Sequence, residues 1–486
     1  MVERVEEIDV VIVGAGLSGI AMAHQLVEDH PGLSYTILEG RERIGGTWDL
    51  FRYPGIRSDS AMSTFGYSFR PWAGTEHFGN GEQIREYIEE TAAEYGIDRQ
   101  IRFRHRVNGA NWDSGQQRWI LSFTDAEDHP REMRCRFLIG CTGYYRYDRG
   151  YAPHFDGEES FEGELFHAQQ WPEGLDVEGR KITVIGSGAT AITVVPALVD
   201  AGAKVTMLQR SPSYVATVPT HTKSVELINR FLSRKRAGWL LRWMGVFREI
   251  IFFNLARRFP DFYRRLLITG ARKQFPEGME KRHQNPAYDP WIQRVCFAPD
   301  GDFFEAFGSG GARLETGNIE RVEADRICLR EGPEIETDVI VKATGLDILI
   351  LGDMQVTVDG EPAPIGEQLV YKGAMLAGVP NLGFIVGYTN ASWTLKAELT
   401  AAYLSRLLSE METRRASVVV PVAPDREMET TPVLNIQSGY IKRAENRLPK
   451  AGDRSPWVLH HNYLTDLREL RQADFDDGAI TFSRAP

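Results

Sequence analysis

Cysteine is scarce. The 486 residues carry four, Cys135, Cys141, Cys296 and Cys328, and no two are spaced as C-x-x-C. That argues against a disulfide framework and a structural zinc site, and against dithiol redox chemistry, which needs two closely spaced thiols. Long apolar runs are missing too: none without charge approaches the roughly 20 residues of a membrane span. The run VVIVGAGLSGIAMA after Asp9 is preceded by Glu3, Glu6 and Glu7, where a secretory signal carries positive charge. A cytoplasmic setting is expected. A surplus of positive charge is also absent: 56 basic against 67 acidic residues give −11, which speaks against nucleic acid as partner. Repeats and low-complexity stretches are lacking, apart from the two similar units described next. What remains is ordinary globular material, 42% hydrophobic and 25% charged, long enough for about three domains.

Glycine is not scarce, and its placement is informative. A buried strand, Val10 to Val13, runs into GAGLSG, which contains Gly14, Gly16, Ser18 and Gly19. A helix from about Gly19 to Glu28 and a strand from Tyr35 to Leu38 follow. Gly14 permits the tight turn, Gly16 lets backbone approach a pyrophosphate, and Gly19 lets helix and strand pack closely. The helix start offers free N–H groups to phosphate. Glu39 stands 20 residues beyond Gly19, placed to bond ribose hydroxyls. A second unit repeats the plan. Strand Ile182 to Ile185 leads into Gly186, Ser187, Gly188, Ala189, Thr190 and Ala191, and strand Val205 to Leu208 ends at Gln209, Arg210 and Ser211. The cation Arg210 stands where the first unit has an acid, so a ribose 2′-phosphate, and NADPH over NADH, is expected. After Ile44 the chain reads GGTWDLFRYPGIRSDS, which sets Gly46, Thr47 and Trp48 beside the first nucleotide site. Glycines followed by aromatics there suit the flat ring system of FAD.

The expected class is therefore α/β, with two Rossmann-like dinucleotide-binding domains, for FAD and NADPH, and a helical insertion. Residues 1–145 form the first part of the FAD domain and 146–220 the first part of the NADPH domain. The insertion spans 221–290, the NADPH domain resumes over 291–345, and 346–486 complete the FAD domain and carry a C-terminal tail. Further strands are expected at Phe137 to Gly140 and Val339 to Ala343, a loop-rich connector over 144–180, and a helix from Leu395 to Met411.

Two longer patterns narrow the chemistry. One holds Gly45, Gly46, Trp48, Tyr53, Pro54, Gly55 and Asp59; the other holds Phe161, Gly163, His167, Trp171 and Pro172. With both patterns complete, the chain resembles the type I Baeyer–Villiger monooxygenases along essentially its whole length. Related flavin monooxygenases that oxidise nitrogen and sulfur end the second pattern differently, so Trp171 and Pro172 discriminate. The resemblance implies that NADPH reduces FAD, that reduced FAD activates dioxygen, and that oxygen is inserted beside a ketone carbonyl to give an ester or lactone. Sulfoxidation of thioethers or thioamides follows from the same oxygen donor. It also implies that Arg57 and Val107 line the FAD site and that Arg294 is the cation beside the flavin, positioned by Asp59. Many relatives have Lys-Arg where this chain has Gln293-Arg294, so Arg210 would hold the NADPH phosphate with less support. His167 is expected to link the nucleotide domains, not to act as a base. Asn390, Ser392 and Trp393 precede the last helix, whose start is expected to face the flavin. N- or S-oxygenation without Baeyer–Villiger activity, and a non-catalytic dinucleotide sensor, are the competing readings.

Within the insertion, residues 234–273 mix arginines with large apolar side chains. At about 100° per residue, Arg242, Arg248 and Arg258 point in different directions, and Arg258 falls near the angle of Phe247. A lid over the active site is the preferred reading, and peripheral membrane association is the competing one.

Overall fold

The computed structural model describes residues 5–424, 428–434 and 439–484. Strand Glu6–Val13 lies at the centre of the larger sheet, parallel to Tyr35–Leu38 on one side and to Pro130–Gly140 on the other. Its Val10, Val11 and Ile12 are buried on both faces, which is why this strand reads as an unbroken apolar run and not as an alternation. The antiparallel strands Arg106–Asp113 and Arg118–Thr124 widen the sheet, and chain from much later, Gln355–Val358 and Leu382–Phe384, adds to it. The first helix, α1 (Leu17–Asp29), starts two residues earlier than expected, because Gly16 is already the extended residue that precedes it.

The smaller sheet has five parallel strands in the order Ala312–Thr316, Lys204–Gln209, Lys181–Ile185, Val339–Lys342 and Glu164–His167. Helix α2 (Ala189–Asp200) provides the crossover between Lys181–Ile185 and Lys204–Gln209. The stretch expected to be a loop-rich connector thus contributes an edge strand, Glu164–His167. Four residues paired on one side only give too short an alternation to separate from loop.

Between strand Val215–Val218 and its parallel partner Cys296–Pro299 run three helices, α3 (Lys223–Phe231), α4 (Arg234–Arg258) and α5 (Pro260–Arg272). Helix α4 packs beside Thr64 and Pro71 of the larger unit, with Gly245 and Gly238 at the points of closest approach. Arg242 is buried there, donating to the Gly66 carbonyl at 2.7 Å and pairing with Glu398. Glu398 belongs to α6 (Trp393–Arg414), which packs along α1 beneath the larger sheet. All four cysteines are buried and unpaired.

Candidate active site

Both glycine turns open onto one cavity of about 890 Å³ between the two sheets. That is near the upper end for a single-ligand cleft. Gly186 has φ +150°, and a Cβ there would sit 2.2 Å from the Ala343 carbonyl oxygen; a Cβ on Gly19 would sit 2.0 Å from that of Gly14. Only hydrogen fits at either point. Helices α1, α2 and α6 all begin at the cavity. Their preceding residues Gly16, Gly188 and Ser392 make no side-chain cap, so the first-turn amides of three helices are left to other partners. Such amides attract anions.

The expected site residues divide into two groups. Gly16, Ser18, Gly46, Thr47 and Trp48 line the cavity from the larger unit, and Gly186, Ser187, Gly188, Ala189 and Thr190 from the smaller. Arg57, Asp59 and Arg294 lie between them, with Arg210 and Ser211 beside the second turn. The others stand behind the wall. Gly14 and Gly19 shape the first turn. Ala191 is buried within α2, and Val107 within the larger sheet. Gln209 turns into the core, where its amide donates to the His283 carbonyl and to Thr316 Oγ1, both at 3.0 Å. Glu39 is 4% exposed and accepts the backbone N–H of Ala15 at 2.7 Å and of Arg41 at 2.8 Å. Burial pushes its carboxyl upward against those two bonds. In this arrangement Glu39 holds the glycine turn in shape.

Arg294 and Asp59 form an ion pair at 3.1 Å on the cavity wall, with 30% and 37% of their side chains exposed. Burial by itself would lower the guanidinium, but Asp59 and the phenols of Tyr144, Tyr440 and Tyr145 outweigh it and hold Arg294 more firmly charged than usual. The result is a permanent cation held beside Asp59 on the cavity wall. Arg57 pairs instead with Asp302, at the start of the helix that follows strand Cys296–Pro299. Tyr53 reaches from the first sequence pattern to Thr190, and burial pushes its phenol up to about 12. That pattern therefore bridges the two units.

The aromatic wall extends beyond the sequence expectation. Tyr144 stacks on Trp393 with ring centroids 4.9 Å apart, its hydroxyl 2.9 Å from that of Tyr145, while Trp393 Nε1 donates to Ser18 Oγ at 2.8 Å. Behind this wall, Ser392 Oγ and Asn390 Oδ1 are buried with no hydrogen-bond partner among the described residues, Asn390 beside a second, small cavity. A buried acceptor without a partner is costly. Around the large cavity the aromatic rings of Trp48, Tyr144, Tyr145 and Trp393 offer flat apolar surface that suits a planar ring system. Gly188 faces open space at the other side, where a Cβ would touch nothing within 4 Å. These residues fit two dinucleotides.

Sequence reasoning missed Arg330 and Arg443, which line the cavity together with Arg210. Arg443 lies 3.4 Å over the Tyr151 ring; burial, joined by repulsion from Arg210, lowers its guanidinium. It comes from a short helix more than 200 residues after Arg210, so no local spacing announces it. Glu249 was missed as well. It reaches from α4 to accept from Thr64 Oγ1 at 2.8 Å, and burial pushes its carboxyl upward. His167 lies behind the site. Its Nε2–H donates to the Gly345 carbonyl at 2.9 Å, Nδ1 accepts from Gln169 N–H at 3.1 Å, and burial favours the neutral ring. It ties the edge strand to the turn after Val339–Lys342.

The chain matches the flavin-binding monooxygenase-like family over residues 7–233. It is 45% identical to the FAD-containing monooxygenase EthA of Mycobacterium tuberculosis over 483 residues, which cover 99% of both chains. Among solved structures it resembles a steroid monooxygenase bound to NADP, with a TM-score of 0.78 at 20% identity, covering 99% of this chain and 100% of the other. A cyclohexanone monooxygenase with bound ε-caprolactone gives 0.78 at 19% identity, covering 98% and 100%.

Proposed function

Given that the chain belongs to the flavin-binding monooxygenase-like family, we propose that it is an NADPH- and oxygen-dependent Baeyer–Villiger monooxygenase, converting ketones to esters or lactones. The observation that carries this is the Arg294–Asp59 pair, a permanent cation on the wall of a cavity shared by two dinucleotide turns. Likeness to a cyclohexanone monooxygenase and a steroid monooxygenase, both of the same fold, supports the reading.

In this reading the FAD domain comprises 1–145 with 346–486, and the NADPH domain 146–220 with 291–345. The first turn, with Ser18, Gly46, Thr47 and Trp48, holds FAD, and the start of α6 faces it. The second turn holds NADPH, with Arg210 and Ser211 beside it, Arg443 close to Arg210, and Arg330 on the same cavity wall as further positive charge for a 2′-phosphate. Bound FAD, reduced by NADPH, supplies activated dioxygen. Arg294 stabilises negative charge developing on oxygen, with Asp59 keeping the guanidinium at the cavity wall. Tyr144 and Tyr145 stand close enough to hold that charge more firmly, and Trp393 stacks on Tyr144.

Oxygen transfer to a thioether or thioamide needs the same donor but no carbonyl, so sulfoxidation belongs to the same reading. The test is product identification by mass spectrometry after incubation with NADPH and a panel of linear, cyclic and aryl ketones and sulfides. Ester or lactone supports the proposal. Sulfoxide with every ketone unchanged reduces it to S-oxygenation, and NADPH oxidation without any oxygenated product refutes both.

A further inference from the structure

Among the described residues, fourteen large apolar side chains are exposed, and ten of them fall between Leu227 and Leu266. Phe231, Trp239 and Phe262 are the barest, at 73%, 64% and 63%. On α4 the exposed Met244, Phe247, Ile251 and Leu255 follow a spacing of three or four residues, which places them in one stripe. The stripe runs opposite the side packed against the protein, where Arg242, Val246 and Ala256 are buried. Phe262 and Leu266 continue the apolar face along α5. The mixed helical pattern of the sequence thus resolves. Helix α4 is apolar on two sides, and Arg242 belongs to the inner one, paired with Glu398.

Charge is segregated in the same place. Residues 223–273 hold thirteen Lys and Arg against three Asp and Glu, a net +10 in a chain of −11. Among the described residues only Arg242 and Arg264 of those thirteen form an ion pair. Arg257 and Arg258 lean over the rings of Phe253 and Phe259, interleaving cation with apolar surface.

We propose that the outer face of α3, α4 and α5 docks this protein on an anionic lipid surface. An apolar stripe inserts to the level of the acyl boundary while surrounding arginines meet headgroup phosphates. A protein partner would have to offer both an apolar face and about ten unneutralised acids; an anionic bilayer offers both by its composition. No helix among the described residues is long and apolar enough to cross a membrane, so the contact is peripheral. The inner side of α4, with Val246, Ile250 and Phe253, lines a small cavity together with Ala391, and Ala391 also lines the large one. A docked molecule would hold its active site about one helix diameter, ~10 Å, from lipid.

The test is sedimentation of the FAD-loaded protein with vesicles of phosphatidylcholine, with and without phosphatidylglycerol. The proposal expects at least tenfold more bound protein on the anionic vesicles at low salt, lost on raising ionic strength. A Phe247→Ser, Ile251→Ser, Phe262→Ser variant, with unaltered flavin spectrum and melting temperature, loses at least tenfold. No sedimentation at low salt overturns the proposal. Binding undiminished in the variant overturns it too, as does a wild-type dimer in analytical ultracentrifugation that the variant converts to monomer without any vesicle binding, since a second copy then covers the face.

Discussion

On the proposed role, replacing Arg294 by alanine should separate oxygen transfer from the steps that precede it. The guanidinium lies 3.1 Å from Asp59, with 30% of its side chain open to the cavity. Two unit charges about 4 Å apart at an effective dielectric of about 20 interact by roughly 4 kcal/mol. Removing a single fixed donor to a developing oxyanion costs about 10²–10³-fold in rate. The fold should lose little, because Asp59 is itself 37% exposed and water can solvate it once its partner is gone. Arg294→Ala is therefore expected to melt within a few degrees of wild type and to keep NADPH oxidation within about threefold, while oxygenated product falls at least about 100-fold. Hydrogen peroxide should appear in its place. Arg294→Lys keeps a charge but with fewer donors on a more flexible stem, and should fall between. NADPH consumption, oxygen uptake, peroxide and product are read in one reaction. Arg294→Ala with wild-type product per NADPH would refute the role, provided the variant is folded.

Arg210→Ala should raise KM for NADPH about tenfold and leave NADH nearly unchanged, and Arg443→Ala should move KM in the same direction, since Arg210 stands close enough to lower the Arg443 guanidinium; equal effects on the two nucleotides would count against a phosphate site. His461 is held down to about 4 by burial, with Lys396 adding, so the unfolded chain binds its proton more readily than the folded one. Stability from this source is present above about pH 6.5 and falls as the pH drops toward 4. His461→Asn should flatten the fall in melting temperature between about pH 7 and pH 5 by the equivalent of 1–2 kcal/mol, unless the ring is not the group responsible. Glu398→Ala strands Arg242, 8% exposed, without its partner and should destabilise by about 3–5 kcal/mol in urea unfolding. A change below about 1 kcal/mol would mean the pair is solvated.

The two glycine turns were legible because each is local: strand, glycines and helix lie within about thirty residues, and the physical demand on each position is steric. Asp59 and Arg294 stand 235 residues apart in sequence and 3.1 Å apart in the fold, a pairing that the family resemblance implies and no local spacing shows. Arg443 and Arg330 were illegible for the same reason, without a pattern to recover them. Gln209 shows the converse. Its place at a strand end pointed to nucleotide, yet a side chain one residue before Arg210 faces the other side of the sheet and enters the core. On α4 the helical period was read correctly, but a helix buried on one side and apolar on both gives no clean stripe in sequence.

The central claim is tested most directly by stoichiometry with labelled oxygen. The purified protein is incubated with NADPH, a cyclic ketone and ¹⁸O₂, and NADPH, oxygen and product are counted together. The account predicts one lactone per NADPH and per oxygen consumed, with one labelled atom in the ring. Peroxide equal to NADPH, for every ketone in the panel and with no labelled lactone, would contradict it.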